Sequence, residues 1–182
     1  MLKFVRLFKH FYFGISFIGI AAFVIQEIPY MIMPLLKPES NPIMNMPNEI
    51  KWIGPVQGIF GVLSMIFLML IVRDDVKVFS VVTSKEKAFF FLTVLMIAVN
   101  FIGWAFYYTG HQYGWLIVLS QFAVVPLYYV FFGLWKKNYF LAGTAVPFFL
   151  IHTINGLYNF VIRIQKRKSC IKSILSVSYK SK

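Results

Sequence analysis

Acidic residues are scarce in this chain, and only 13% of its 182 residues are charged. It has six carboxylates, and none of them lies beyond Glu86. The second half is therefore excluded from any chemistry that needs paired carboxylates. A single cysteine, Cys170, excludes an intramolecular disulfide and a thiolate metal cluster.

Motifs for catalysis and metal binding are also missing. The three histidines, His10, His111 and His152, have no spacing typical of a metal-ligand set. The sequence contains no Gly-rich phosphate loop after a strand and no Gly-x-Ser-x-Gly elbow, and Cys170 has no histidine placed to activate it. We therefore expect neither an enzyme nor a resident metal or cofactor.

The chain is instead rich in apolar residues, which make up 59% of it, with 21 Phe and 10 Tyr. This is far too apolar for a soluble domain. A membrane span needs about 20 mostly apolar residues, and five stretches have this length, at about 11–36, 53–72, 88–109, 114–135 and 139–162. We predict an all-α membrane protein: one bundle of five transmembrane helices over 1–163, followed by a basic C-terminal tail over 164–182.

The net charge is +12, which on a membrane protein indicates loops facing anionic lipid rather than nucleic-acid binding. Alternate loops place nine basic residues on each side of the membrane, so the charge count does not fix the orientation. Only the dense cluster from Arg163 to Lys168 favours a cytosolic C-terminus. We expect the tail to lie on the anionic membrane surface.

A few polar residues interrupt the apolar stretches. His152, Asn155 and Asn159 stand at i, i+3 and i+7 in the fifth stretch, which places them on one helix face. In the third stretch the corresponding i, i+4 and i+8 positions are Asn100, Trp104 and Tyr108. The other polar positions are Glu27, Gln57, Ser120 and Gln121.

Two interpretations of these polar faces remain open. The first is hydrogen bonding between helices, worth about 0.6 kcal/mol for each bond. The second is a cavity with a polar and aromatic lining, because polar groups inside a bilayer usually face the bundle interior or a cavity. Kinks are expected at the prolines inside the spans, and kinked helices leave gaps that suit a cavity. These are Pro29, Pro34, Pro126 and Pro147.

The order of several motifs resembles the TspO family, also known as tryptophan-rich sensory proteins, translocator proteins or peripheral-type benzodiazepine receptors. The first connection contains "KPESNP" from Lys37 and then "WIGPV" from Trp52. Asn100 and "FYY" follow in the third stretch, and Gly114 with Trp115 opens the fourth. The fifth contains "VPFF" from Val146 and, later, Asn159 with Phe160. The resemblance covers about residues 28–163.

The resemblance implies a function and a set of site residues. Proteins of this family hold a lipophilic ligand, such as a porphyrin or other tetrapyrrole or a sterol, in a pocket between five helices that the first loop caps. The residues that match motif positions are Gly54 to Gln57, Asn100, Trp104, Trp115, Pro147 and Asn159. Of these, Gln57, Asn100 and Trp115 are expected to line the pocket. The resemblance also implies a homodimer, for which Gly103 offers a gap, and it leaves light-dependent porphyrin degradation open as an enzymatic activity.

Departures from the family pattern bear on the ligand. Gln57 and Ser40 stand where the family has tryptophan, and Phe160 replaces a tyrosine of its sterol-recognition stretch. The ligand is therefore expected to differ from the family's usual one. Two other functions remain open: a substrate-binding membrane component of a small-molecule transporter, and a structural membrane protein.

Overall fold

The computed structural model describes residues 1–46 and 50–163 of the chain. Eight elements follow one another in it. They are β1 (Leu2–Phe8), β2 (Phe11–Ile15), α1 (Phe17–Leu36), α2 (Ile53–Leu70), β3 (Ile71–Arg73), α3 (Ser84–Tyr108), α4 (Gly114–Trp135) and α5 (Tyr139–Ile162). All five helices are long and apolar enough to cross a membrane. The predicted five-helix bundle is confirmed, and the protein is a multi-pass membrane protein.

The first predicted span is wrong at its beginning. Residues 11–15 are not helical but form β2, which pairs antiparallel with both β1 and β3. The segment "FYFGI" is as apolar as the helix that follows, so hydropathy alone does not separate them. Ser16 ends the strand and begins α1, because its hydroxyl accepts a hydrogen bond from the Gly19 N–H at 3.1 Å.

The small sheet holds the start of α1 against the end of α2. The Ser16 N–H donates to the Met69 carbonyl at 2.8 Å, and a Cβ on Gly19 would lie 2.0 Å from the Leu68 carbonyl oxygen. Only glycine therefore permits this approach of the two backbones. At the edge of the sheet, Arg73 stacks on the Phe11 ring at 4.6 Å and forms a two-bond ion pair with Asp75. This hydrogen bonding holds the pKa of the Asp75 carboxyl below its usual range.

Helix α4 is the central helix of the bundle. In its most apolar window 72% of the residues are buried, against 22–28% in the other four helices. It packs between α3 and α5, and two tyrosines connect it to α1: Tyr128 donates to the Ala22 carbonyl at 3.0 Å, and Tyr129 donates to Gln26 Oε1 at 2.8 Å. The outer faces of the bundle carry exposed apolar side chains, as expected where helices meet lipid.

Helix α4 contains one π-helical turn, Val118–Ala123, and a second one, Tyr158–Ile162, ends α5. The first lies directly before Pro126, which has no N–H to donate to the Phe122 carbonyl. A wider turn at this point accommodates the missing bond without ending the helix. Helix α1 likewise continues through Pro29 and Pro34 to Leu36.

Helices α3 and α4 make their closest approach at Gly103, where a Cβ would lie 2.1 Å from the Ser120 side chain. The gap that the sequence offered for a homodimer is thus filled by α4 of the same chain. The homodimer remains a prediction, and Gly103 no longer supports it. The tail over 164–182, with Cys170, lies outside the described residues.

We expect Gly103→Ala to lower the thermal midpoint of the protein in detergent, because the added methyl group must push α3 away from Ser120. Gly143→Ala is the matched control, since a Cβ there meets no described atom within 4 Å. The control should leave the midpoint unchanged or raise it slightly through helix propensity. Equal midpoints for the two variants would contradict the close approach of α3 and α4.

Candidate ligand cavity

A cavity of about 180 Å³ lies where α1, α2, α4 and α5 meet. Its wall combines polar, aromatic and aliphatic side chains from all four helices. They are Gln26, Glu27, Tyr30, Gly61, Met65, Val125, Tyr129, Phe148 and His152. A few polar groups on a mostly apolar wall are typical of small-molecule sites.

The cavity lies deep in the membrane. Helix α1 begins at Phe17. At a rise of 1.5 Å per residue, Glu27 lies about 15 Å further along the helix axis. This is half of the roughly 30 Å of hydrocarbon that a helix crosses. The carboxylate of Glu27 is therefore near the bilayer midplane, where an acidic side chain is costly and usually has a function.

A buried hydrogen bond borders the carboxylate. The Tyr129 hydroxyl donates to Gln26 Oε1 at 2.8 Å, and Gln26 directly precedes Glu27 on α1. Gln26 is almost fully buried. This bond joins α4 to α1 beside the only carboxylate of the cavity wall.

His152 stands on α5, on the same cavity wall. Its ring is stacked between Phe122 and Phe148, with ring centroids 4.5 and 4.9 Å away and interplanar angles of 29°. Its Nδ1 atom is buried and has no hydrogen-bond partner among the described residues. The imidazole is therefore fixed by stacking, and its hydrogen-bonding capacity is free for a ligand or water.

Glu27 and His152 are unusual in this bundle. The first turn of α3 contains Lys85, Glu86 and Lys87. Apart from these three, Glu27 and His152 are the only acidic, basic or histidine side chains within the described helices. Both line the same cavity, although 125 positions of sequence separate them. This coincidence singles out the cavity as the candidate site.

A second, outer cleft of about 530 Å³ opens at the end of the bundle. It lies between the first connection, from Leu36 to Ser40, and the end of α3, from Tyr107 to Gln112. The two sides are tied by hydrogen bonds: Tyr107 donates to Asn41 Oδ1 at 2.8 Å, and Gln112 donates to the Ser40 carbonyl at 2.8 Å. The first loop therefore covers this end of the bundle.

An aromatic cluster separates the two cavities. Trp104 contacts Tyr30 of the inner cavity with ring centroids 4.7 Å apart, and it contacts Tyr107 and Tyr108 of the outer cleft at 5.2 and 5.4 Å. The indole is 2% exposed, and its Nε1 has no partner among the described residues.

The site residues expected from the sequence lie at separate places, and none of the six lines the inner cavity. Gln57 and Asn159 are joined through Asn155, which donates to Gln57 Oε1 at 2.9 Å and accepts from Asn159. Asn100 donates to the Ser120 carbonyl and to Gln121 Oε1, both at 2.9 Å. These amides therefore form hydrogen bonds between helices, as in the first of the two interpretations of the polar faces.

The remaining three predicted residues differ in their surroundings. Trp104 belongs to the aromatic cluster between the cavities. Trp115 is 57% exposed at the start of α4, so it faces outward rather than into the bundle. Pro147 is half-buried on α5, next to the cavity residue Phe148.

The motif comparison missed most residues of the cavity wall. Gln26, Tyr30, Gly61 and Tyr129 stand outside the motifs that were matched. Glu27 and His152 were noted as polar positions but were not assigned to one site, because no sequence spacing relates α1 to α5. The signal that could have found them is their rarity, since they are the only such groups deep in the spans.

One surface cluster has metal-ligand chemistry. Ligand atoms of His10, Asp74 and Asp75 lie within 4.8 Å of one another, and all three residues are exposed. His10 Nδ1 lies 3.0 Å from Asp74 Oδ1, and Asp75 is paired with Arg73. These contacts already account for the cluster as a surface ion-pair network.

Comparison with protein-family models, with curated proteins and with solved structures found no match. The assignment of a function therefore depends on the geometry of the bundle and its cavities.

A double-mutant cycle tests the bond between α2 and α5. We expect Gln57→Leu and Asn155→Leu to be coupled by about 0.6 kcal/mol or more in the free energy of unfolding in detergent, because each removes the partner of the other. Gln57→Leu combined with Asn100→Leu is the control cycle, since these two side chains share no hydrogen bond. Equal coupling in the two cycles would contradict the Gln57–Asn155 bond.

Proposed function

We propose that this chain is a TspO-like membrane protein that binds a lipophilic small molecule between its helices, for transport, sequestration or sensing. The observation that supports this most is the inner cavity, on which four helices bring together the two isolated ionisable groups of the spans. A structural membrane protein would have no need for such groups at the bilayer midplane, where they are costly.

The size of the cavity limits the ligand. Sites for drug-sized molecules have about 300–1,000 Å³, and the inner cavity has about 180 Å³. A tetrapyrrole or a sterol does not fit this volume, whereas a compact lipophile with one ring does. The inner cavity is therefore proposed for a smaller ligand than the resemblance implies.

The outer cleft favours a second candidate ligand. Its volume of about 530 Å³ lies within the drug-sized range. It offers Lys37 as a cation for a carboxylate and the rings of Tyr107 and Tyr108 as stacking surfaces. A tetrapyrrole is thus proposed for the cleft under the first loop.

Filling the inner cavity tests the main proposal. Gly61 lines it, and a Cβ there lies 3.4 Å from the Phe148 ring, which is an ordinary contact. We expect Gly61→Leu to weaken binding of the compact lipophile 2-phenylethanol at least about tenfold, or 1.4 kcal/mol. Binding is measured by isothermal titration calorimetry on the full chain in detergent.

Gly58→Leu is the matched control on the same helix, because a Cβ at Gly58 meets no described atom within 4 Å and this glycine lines an outer groove instead. The control should bind 2-phenylethanol as the unchanged protein does. If Gly61→Leu binds equally well, or if the unchanged protein does not bind at all, the inner cavity is not a ligand site.

The cleft has its own test. We expect protoporphyrin to quench tryptophan fluorescence, since Trp104 contacts two tyrosines of the cleft. Lys37→Gln should weaken the apparent affinity several-fold, about 1 kcal/mol for one exposed ion pair. Lys51→Gln, in the same connection but outside the cleft, should leave it unchanged. Equal affinities for the two variants would remove the cleft as the tetrapyrrole site.

A further inference from the structure

The inner cavity has a carboxylate without a cation. Glu27 takes part in none of the ion pairs among the described residues, and no Lys or Arg lines the cavity. Gln26, the preceding residue, is neutral, and its Oε1 accepts a hydrogen bond from Tyr129. A carboxylate at the bilayer midplane is costly unless it is paired or neutralised. Among the described residues no cation is placed to pair with Glu27, so a cationic ligand would complete the pair.

The rest of the wall suits an organic cation better than a bare proton or a metal ion. Three aromatic rings line the cavity with Glu27, those of Tyr30, Tyr129 and Phe148, and a ring face attracts an ammonium group within about 6 Å. One carboxylate is too few oxygen ligands for a hard metal ion. A proton alone would leave the rings and the volume of about 180 Å³ without a role.

Part of the wall is apolar. Gly61, Met65 and Val125 offer contacts for a hydrocarbon or aromatic body. The ring of His152 adds a hydrogen-bonding group whose Nδ1 is buried and unpartnered among the described residues. The wall thus combines one carboxylate with aromatic rings and apolar surface.

We propose that the ligand of the inner cavity is a compact lipophilic amine, bound as its ammonium form with the positive charge on the Glu27 carboxylate. This inference rests on the proposed function and names the chemical class of its ligand. The rings of Tyr30, Tyr129 and Phe148, which line the cavity with Glu27, offer their faces to the ammonium group.

A pair of probes that differ only in charge tests the inference. 2-Phenylethylamine is protonated at neutral pH, and 2-phenylethanol is its neutral counterpart of almost the same shape. We expect the full chain in detergent to bind the amine at least about tenfold more tightly than the alcohol by calorimetry. Glu27→Gln keeps the shape of the side chain and removes its charge, so this preference should disappear. Unchanged binding of 2-phenylethanol by the variant shows that it is folded.

Asp74→Asn is the matched control, because Asp74 is an exposed carboxylate that lines neither the inner cavity nor the outer cleft. It should keep the preference for the amine. Equal binding of the two probes by the unchanged protein, or a preference that survives Glu27→Gln, would overturn the inference while the lipophile site stands. Failure of both probes to bind would overturn the proposed function as well.

Discussion

Inside a bilayer no water is available to a polar side chain, so each such group needs a partner within the bundle. This constraint organises the contacts between the helices of this protein. Tyr128 and Tyr129 attach α4 to α1, Asn100 attaches α3 to α4, and Asn155 attaches α5 to α2. These few bonds join α1, α3 and α4 into one group and α2 with α5 into another, while dispersion contacts between apolar side chains make up the remainder of the packing.

Two of the exceptions to this rule lie on the wall of the inner cavity. The Glu27 carboxylate has no ion-pair partner among the described residues, and the His152 ring is stacked between Phe122 and Phe148 with its Nδ1 unpartnered among them. Both are found where the packing leaves a space. A bundle designed only for stability would have replaced either group with an apolar side chain. In the function proposed above, the ligand completes the contacts of these two groups.

Much of the fold follows from the sequence, because a span of apolar residues has few alternatives to a helix in a membrane. The stretches 114–135 and 139–162 coincide with α4 and α5. The strand Phe11–Ile15 was missed because its residues are as apolar as those of α1, and its partner β3 comes only after two helices. The cavity was missed for a related reason: Glu27 and His152 line one space through the packing of four helices around it, which no spacing encodes. The motif residues were correctly recognised as polar positions, but the partners of Gln57 and Asn100 depend on which helices are neighbours.

The pairing of β2 with β3 has a consequence for how the protein enters the membrane. These strands flank the α1–α2 pair, and they can join only after both helices have crossed the bilayer and returned to the same face. When it forms during biosynthesis, the sheet therefore joins the outer ends of the α1–α2 hairpin. Once it closes, α1 can no longer slide along α2, because Gly19 lies against the Leu68 carbonyl. The depth of Glu27 in the bilayer would thus be set before α4 and α5 are made.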